Sequence, residues 1–258
     1  MKDVQSQKDQ RNVYLNQVGI NKLRHPLIVK DKRLESQKTV AEFDISVDLA
    51  MEDRGTHMSR FVEIVNEIEY INLGQLESLL TKLRDKLHAE AAYISISFPY
   101  FIEKLSPVTK SKGLIDVDCE MIGKVDHKNN FEFTLLVTVP VQTLCPCSKE
   151  ISESGAHNQR AYTTVSINTT RLIWIEDIVN LIEKCASTPL YPVLKRPDEK
   201  YVTEFAYNNP KFVEDLTRDC VVALREIEGI DYYEVYTESE ESIHNHNAYA
   251  YARKDIDE

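Results

Sequence analysis

The order of strand and helix patterns restricts the fold of this chain most, because the same order occurs twice. In the first half, an alternating segment that begins at Thr39 precedes two helical patterns and two further strand patterns. In the second half, residues 131–141 alternate strictly, and another strand, two helices and two final strands follow. Strict alternation is typical of half-buried strands, and spacing of three to four residues is typical of helices. The sequence therefore predicts an α+β fold of two similar modules, each an antiparallel sheet with two helices on one face.

The helical patterns can be assigned to particular residues. Those of the first module are Phe61, Ile64, Val65 and Ile68, and then Leu76, Leu79, Leu80, Leu83 and Leu87. In the second module, one helix contains Ile175, Ile178, Val179 and Ile182. Asn209-Pro210 is predicted to open the last helix, as an N-cap with proline at the first helical position. Its predicted buried face is Phe212, Leu216, Cys220, Leu224 and Ile227, with Gly229 at its end, and the last strands cover about residues 231–238 and 245–252.

Length and composition limit the class of protein. At 258 residues the chain can bury a full core. We predict a mobile segment over residues 1–15 and modules over 16–128 and 129–258, the second of which carries the metal site described below. The N-terminus does not resemble a signal peptide, and no apolar run approaches the roughly 20 residues that cross a bilayer. Five cysteines then favour a reducing cytoplasm, and a net charge of −11 disfavours nucleic acid as a partner.

The segment LCPCSKEISESGAHNQR, residues 144–160, contains the strongest chemical signal. Cys145, Cys147 and His157 offer thiolate and imidazole, the preferred ligands of zinc and similar metals. Structural zinc sites favour two to four residues between cysteines, and only one separates these two. One thiolate, His157 and a distant carboxylate would leave a coordination position for water, as in a catalytic site. Cys147 is then a nearby or catalytic thiol, and the polar segment is predicted to be a loop.

The carboxylate cannot be chosen from the residues alone. Glu199 lies in KRPDEK, which is predicted to be a loop, Glu204 follows shortly after, and Glu214 lies in the first turns of the last helix. With 42 acidic residues in the chain, each of them is also compatible with a solvated surface charge.

Two further clusters contain candidate residues. Glu241, His244 and His246 follow one another near the C-terminus, and histidines two apart on a strand would share a face and could transfer protons. The segment RGTHMSRF joins a strand to a helix and places His57, Ser59 and Arg60 at the helix start, which suits a phosphate. A helix with Ser59 as N-cap is the structural alternative. Zinc deaminase, Walker A and dinucleotide-binding motifs do not occur in the sequence.

The combination of RGTHMSRF, TLCPCSKEISESGAHNQR, YNNPKFVED and ESIHNHNAYA resembles the type IB GTP cyclohydrolase I family, over roughly residues 16–253. The resemblance implies the tunnelling fold, a homotetramer with sites near subunit interfaces, and hydrolysis of GTP to formate and 7,8-dihydroneopterin triphosphate. This reaction leads towards folate and related pterins. The resemblance also implies a divalent metal, zinc or manganese, with iron as a further candidate.

The resemblance also assigns roles to residues of this chain. It implies Cys145, His157 and Glu199 as metal ligands, with Glu204 as the alternative carboxylate. Glu214 would anchor the purine edge. The implied catalytic group lining the site is Cys147, Glu241, His244 and His246. Apart from the resemblance, we take Arg60, Lys149 and Arg160 as candidates for binding the triphosphate, and His57 as a further candidate for binding the substrate.

Two other functions remain compatible with the sequence. One is a reductase of the same fold, in which a cysteine such as Cys147 forms an adduct with a deazapurine nitrile that NADPH reduces. The other is a non-enzymatic module with a structural zinc, which would unfold when the metal is removed.

Overall fold

The computed structural model describes residue 5 and residues 7–254, and over this part of the chain the predicted α+β class is confirmed. The strands are β1 (Leu15–Asp31), β2 (Glu35–Leu49), β3 (Ala92–Leu105), β4 (Lys112–Val125), β5 (Phe131–Leu144), β6 (Asn158–Thr169), β7 (Thr188–Pro189), β8 (Ile230–Ser239) and β9 (Ala248–Arg253). The helices are α1 (Met58–Val65), α2 (Leu73–Leu87), α3 (Pro146–Ile151), α4 (Ile175–Cys185), α5 (Arg196–Asn208) and α6 (Val213–Arg225).

The chain divides into two compact units that interleave along the sequence. Unit 1 comprises Met1–Pro99 and Glu120–Leu135, and unit 2 comprises Tyr100–Cys119 and Leu136–Glu258. The predicted module boundary after residue 128 falls in the turn between β4 and β5. The predicted mobility of residues 1–15 remains a prediction, and residues 1–4 and 6 lie outside the described part of the chain.

In unit 1 the strand segments lie in the order β1-β2-β3-β4-β5. Alternate residues of β2, such as Phe43 and Ile45, are buried, as the sequence pattern predicts. Helix α1 contacts β1 and helix α2 contacts β2, and α2 buries Leu76, Leu80 and Leu83. Burial of this apolar face, at roughly 25 cal/mol per Å² of apolar surface, is what holds the short helices on the sheet.

Strand β1 was not predicted from the sequence, because two irregularities interrupt its alternation. Its pairing with β2 shifts register between Leu15 and Val18 and again between Ile20 and Leu23. Lys22 has a left-handed backbone, φ 58°, and its N–H donates to the Asp44 carboxylate over 2.7 Å. A β-bulge of this kind moves apolar residues out of the two-residue period on which strand prediction depends.

In unit 2 the strand segments lie in the order β3-β4-β5-β6-β8-β9, and the short β7 pairs with β5. Strands β6 and β8 are antiparallel, with Ala161 opposite Ser239 and Val165 opposite Val235. Helix α6 packs on β8 and β9 and contacts α4. The buried residues of α6 are Val213, Leu216, Thr217, Cys220 and Leu224, at the predicted helical spacing.

The predicted start of α6 is wrong. Helix α6 begins at Val213, and Asn209 instead ends α5. The Asn209 side chain donates to the carbonyl oxygens of Ala186 and Ser187, at 2.9 and 3.2 Å, so it ties α5 to the end of α4 and does not cap α6. Phe212 occupies the N-cap position, and the carboxylate of Asp215, the third helical residue, accepts the Phe212 N–H at 3.0 Å, as in a capping box. Phe212, predicted to be buried, is 43% exposed.

The segment KRPDEK is not a loop, because Arg196 begins helix α5. This helix buries only Asp198 and Ala206, so it has no apolar stripe that a sequence pattern could reveal. The buried Asp198 carboxylate accepts hydrogen bonds from Thr109 Oγ1 at 2.6 Å and from the N–H groups of Val108 and Thr109 at 2.8 Å each. These hydrogen bonds to Asp198 therefore hold α5 in place, whereas most helices are held by an apolar face.

Helix α1 also starts differently from one prediction. Its first residue is Met58 and its N-cap position is His57, so Ser59 lies inside the helix and is not the N-cap.

In the part of the chain that the structure describes, no helix combines the length and apolar character needed to span a membrane.

Candidate active site

Cys145 lies where β5 ends and helix α3 begins. It occupies the N-cap position of α3, and Pro146 is the first helical residue, where its missing N–H costs no hydrogen bond. The Ser148 N–H donates to Cys145 Sγ over 3.4 Å. The segment after β5 was predicted to be a loop, and its first part is instead this six-residue helix.

His157 lies directly opposite Cys145. The Cys145 N–H donates to the His157 carbonyl oxygen over 3.1 Å, which extends the pairing between the end of β5 and the start of β6. Residues directly opposite on an antiparallel ladder have Cβ atoms about 4.5–5.5 Å apart. Ser148 joins the two residues a second time, because its Oγ accepts the His157 N–H over 3.2 Å. The backbones of the two residues predicted to share a site thus lie next to each other.

The His157 ring is held by a chain of hydrogen bonds that the sequence did not reveal. Its Nδ1 lies 2.9 Å from Gln159 Oε1, and Gln159 Nε2 donates to Thr143 Oγ1 over 3.3 Å. An amide oxygen only accepts, so His157 Nδ1 carries the hydrogen when the Gln159 oxygen faces the ring. In the neutral ring, Nε2 then keeps the lone pair that binds a cation.

Among the described residues, neither candidate carboxylate of α5 forms a cluster of three ligands with this pair. The last turn of α5 contacts α3, because Lys149 Nζ donates to the Tyr207 carbonyl oxygen over 2.5 Å. Glu199 lies eight residues earlier in the helix, about 12 Å along its axis at 1.5 Å per residue. Glu204 is closer than Glu199 to Tyr207 in the sequence, but it is exposed and forms an ion pair with Lys200.

The second histidine cluster lies at the same end of the unit 2 sheet as His157. Strand β6 starts where the antiparallel β8 ends, and the Glu240 N–H donates to the Arg160 carbonyl oxygen over 2.8 Å. The loop from Glu241 to Asn247 follows directly. His244 and His246 lie in this loop and not on a strand as predicted, because β9 begins only at Ala248.

The two histidines of this loop nevertheless remain neighbours. Their rings stack with centroids 4.9 Å apart and planes 14° from parallel, and both side chains are exposed. Asn247 Nδ2 fixes the end of the loop, since it donates to Glu238 Oε1 over 2.7 Å. Hydrogen bonds from Tyr236 and Asn247 hold the pKa of Glu238 below its usual range, so this anchor stays charged.

Glu214 lies close to this end of the sheet as well. It is an exposed residue in the first turn of α6. The Lys211 N–H, three residues before it, donates to the carbonyl oxygen of Leu144 over 3.0 Å, next to Cys145. One end of unit 2 therefore collects the thiol, the imidazole, the histidine loop and the carboxylate predicted to bind a purine.

The candidate basic residues are distributed over both units. Arg160 is exposed on β6, whereas the ammonium group of Lys149 lies 4.4 Å from the centre of the Tyr207 ring and also binds that residue's carbonyl oxygen. His57 and Arg60 belong to unit 1, where Arg60 Nη1 donates to the Lys86 carbonyl oxygen over 2.9 Å.

The remaining cysteines are core residues, as predicted. Cys119, Cys185 and Cys220 are buried, while Cys145 is partly accessible and Cys147 is exposed. Burial raises the pKa of the Cys119 thiol, so it stays neutral. The accessible thiols are therefore the two in the CPC segment.

The donor atoms of this site are of the chemical types that bind a divalent cation. Cys145 and His157 supply one soft sulfur and one ring nitrogen, the donor types that zinc and its neighbours prefer. Among residues 5 and 7–254, no cluster of three or more His, Cys, Asp and Glu side chains could hold a metal ion. Cys145 and His157 thus offer suitable donors, and among the described residues no third side chain completes a cluster with them.

Comparison with solved structures identifies the class of fold. The chain aligns with the crystal structure of uricase from Arthrobacter globiformis at a TM-score of 0.51, with 7% identity and 93% of each chain covered. A hyper-thermostable variant of that uricase aligns at a TM-score of 0.54, also with 7% identity. At this identity the likeness shows the fold alone, and the predicted tunnelling fold is confirmed.

Comparison of sequences identifies the family. The model described as type I GTP cyclohydrolase folE2 matches residues 1–250. A protein named GTP cyclohydrolase FolE2 from Caldicellulosiruptor bescii is 50% identical over 256 residues, which cover 99% of both chains. The protein of the same name from Thermotoga maritima is 51% identical over 254 residues, covering 98% of this chain and 97% of its own length. The chain belongs to the FolE2 family of type I GTP cyclohydrolases.

Proposed function

We propose that this chain is a metal-dependent GTP cyclohydrolase of type IB that converts GTP and water to formate and 7,8-dihydroneopterin triphosphate. The observation that carries the proposal is the cross-strand pair of Cys145 and His157 beside the histidine loop, in a chain that FolE2 proteins match over almost their full length. The reaction is a first step towards folate and pterins. We place the enzyme in the cytoplasm.

Cys145 and His157 would hold the cation, with Glu199 as third ligand and Glu204 as the alternative. When bound, zinc, manganese or iron supplies Lewis-acid activation of water near neutral pH. The third ligand would have to approach this pair when the site assembles. We infer that the protein assembles as a homotetramer with its sites near the subunit interfaces, and that the site is completed in this assembly.

Glu214 would accept hydrogen bonds from the guanine N–H groups. A site built to satisfy these donors rejects a purine that lacks them, which would distinguish GTP from ATP. Arg160, Lys149 and Arg60 are the candidates for the triphosphate, and His57 is a further candidate for binding the substrate. Of these, Arg160 is exposed next to the histidine loop, whereas Lys149 and Arg60 already bind carbonyl oxygens of the chain.

His244 and His246 would transfer protons as the imidazole ring of the base opens and formate leaves. Their stacked, exposed rings lie in the loop that follows β8. Glu241, at the start of that loop, would orient one of them. Cys147 is the exposed thiol of the site and would line it beside Cys145.

The proposal is tested by incubating the purified protein with GTP and a series of divalent metals. Formate and a fluorescent oxidised pterin should appear together, and ATP should yield neither. NADPH oxidation in the presence of a deazapurine nitrile, without formate from GTP, would favour the reductase. Unfolding upon removal of the metal would favour a structural zinc.

A further inference from the structure

We propose that Gln159 is a positioning residue that fixes the tautomer and orientation of His157 for metal binding, and that Thr143 in turn orients Gln159. This inference rests on the proposed metal site. It concerns side chains of this chain that the family resemblance and the sequence motifs did not assign.

The contacts form an ordered chain of donors and acceptors. Gln159 Oε1 lies 2.9 Å from His157 Nδ1, and Gln159 Nε2 donates to Thr143 Oγ1 over 3.3 Å. In this orientation the amide oxygen accepts the Nδ1–H of the ring. The hydrogen bond to Thr143 holds the amide beside the ring.

The residues that make these contacts lie on two neighbouring strands. The backbone bond between Cys145 and His157 sets these residues opposite each other, and Thr143 and Gln159 lie two residues further along their strands, on the same side of the ladder. Thr143 is only 1% exposed, and Gln159 is partly buried. The two ligand residues and their two supports therefore occupy adjacent cross-strand positions.

The physical consequence concerns the other ring nitrogen. A histidine that binds a metal through one nitrogen usually donates the other N–H to a fixed acceptor, which selects the tautomer and the ring orientation. Without the Gln159 oxygen, the ring can rotate and can carry its hydrogen on Nε2, the atom needed as ligand. Loss of such a partner typically weakens metal affinity about 10- to 100-fold.

The test measures Co²⁺ and Zn²⁺ affinity of the purified protein by competition with a chromophoric chelator, and records the Co²⁺ absorption spectrum. Gln159→Met removes the acceptor at nearly constant length, and Gln159→Glu retains an acceptor. Thr143→Val removes the group that orients the amide. Gln142→Met is the matched control, because Gln142 is a partly buried glutamine on the neighbouring position of β5.

We expect Gln159→Met to bind both metals about 10- to 100-fold more weakly with an altered Co²⁺ spectrum. Thr143→Val should show a smaller loss, and Gln159→Glu and Gln142→Met should bind as the parent does. Parent-like affinity and spectrum in Gln159→Met would overturn the inference, as would equal losses in Gln159→Met and Gln142→Met. If the parent itself binds neither metal, the proposed metal dependence fails instead.

Discussion

Replacement of Glu214 by glutamine separates substrate recognition from folding. Glu214 is exposed in the first turn of α6, where a negative charge stabilises a helix by about 0.3–1 kcal/mol. The hydrogen bond from the Phe212 N–H to Asp215 at the start of α6 is left intact by the substitution. The free energy of unfolding should therefore fall by at most about 1 kcal/mol in Glu214→Gln.

The expected effect on GTP is much larger. A carboxylate can accept from two guanine N–H groups, and each charged hydrogen bond contributes about 1.5–3 kcal/mol. An amide keeps one acceptor and presents a donor to the second N–H, so about 2–4 kcal/mol should be lost. At about 1.4 kcal/mol for each factor of ten, kcat/KM for GTP should fall roughly 30- to 1,000-fold.

The assay is formate release at subsaturating GTP, with metal content and urea denaturation measured on the same samples. Asp215→Asn is the control, since it makes the same change of charge one residue further along the helix and retains a capping side chain. Its kcat/KM should stay close to that of the parent. An unchanged kcat/KM in Glu214→Gln, or equal losses in both variants, would refute the purine-anchoring role.

Three further outcomes are expected. Cys145→Ala and His157→Ala should each lose the metal and keep the fold, because too few ligands remain, and full occupancy by metal analysis would remove that residue from the ligand set. His244→Ala and His246→Ala should retain metal while formate release falls by about 10²–10⁴, the usual contribution of acid–base groups; joint loss of metal and turnover would make them ligands, and persistent turnover would make them surface residues. The pKa of Asp198, which burial raises and hydrogen bonds from Thr109, Lys195 and Val108 lower by more, lies well below its usual range. The stabilising contribution of Asp198 is complete above the unfolded pKa of about 3.9 and is lost as the pH falls further. The urea midpoint of Asp198→Asn should therefore depend less on pH between 6 and 3 than the midpoint of the parent. Parallel curves of urea midpoint against pH would contradict this.

The elements that sequence patterns predicted are those that bury a regular apolar face. Strand β5 and helix α2 do so, and both lie where the alternation and the helical spacing place them. Strand β1 does not, because its bulges and the left-handed Lys22 break the period. Gly19 lies in this irregular region, where an added Cβ would come within 2.0 Å of the Ile45 carbonyl oxygen. Such a close approach depends on a tertiary contact that a local pattern does not contain.

Helix α5 failed prediction for a different reason. It is held by Asp198 and its hydrogen bonds to the segment before β4, so its buried position carries a carboxylate where a pattern requires an apolar residue. Prediction from local pattern also failed at Asn209. Asparagine is a common N-cap residue, but the Asn209 side chain instead forms a tertiary contact that links α5 to the end of α4.

At the candidate site, the thiol and imidazole types and their spacing led us to predict that Cys145 and His157 share a metal, and this remains a prediction. The structure adds that a backbone hydrogen bond joins the two residues at the ends of β5 and β6. Gln159 could not be predicted, since a single glutamine in a polar segment has no pattern. Its role follows only from the donor and acceptor geometry around the His157 ring.

The most direct test of metal-dependent catalysis at the Cys145–His157 pair measures bound metal and formate release from GTP in the same preparations. The parent should be folded but inactive after chelation, and activity should return in proportion to added zinc, manganese or iron. His157→Ala should remain inactive at the same metal concentrations. Full formate release from parent protein shown to be free of metal, or full metal-restored activity in His157→Ala, would contradict the account.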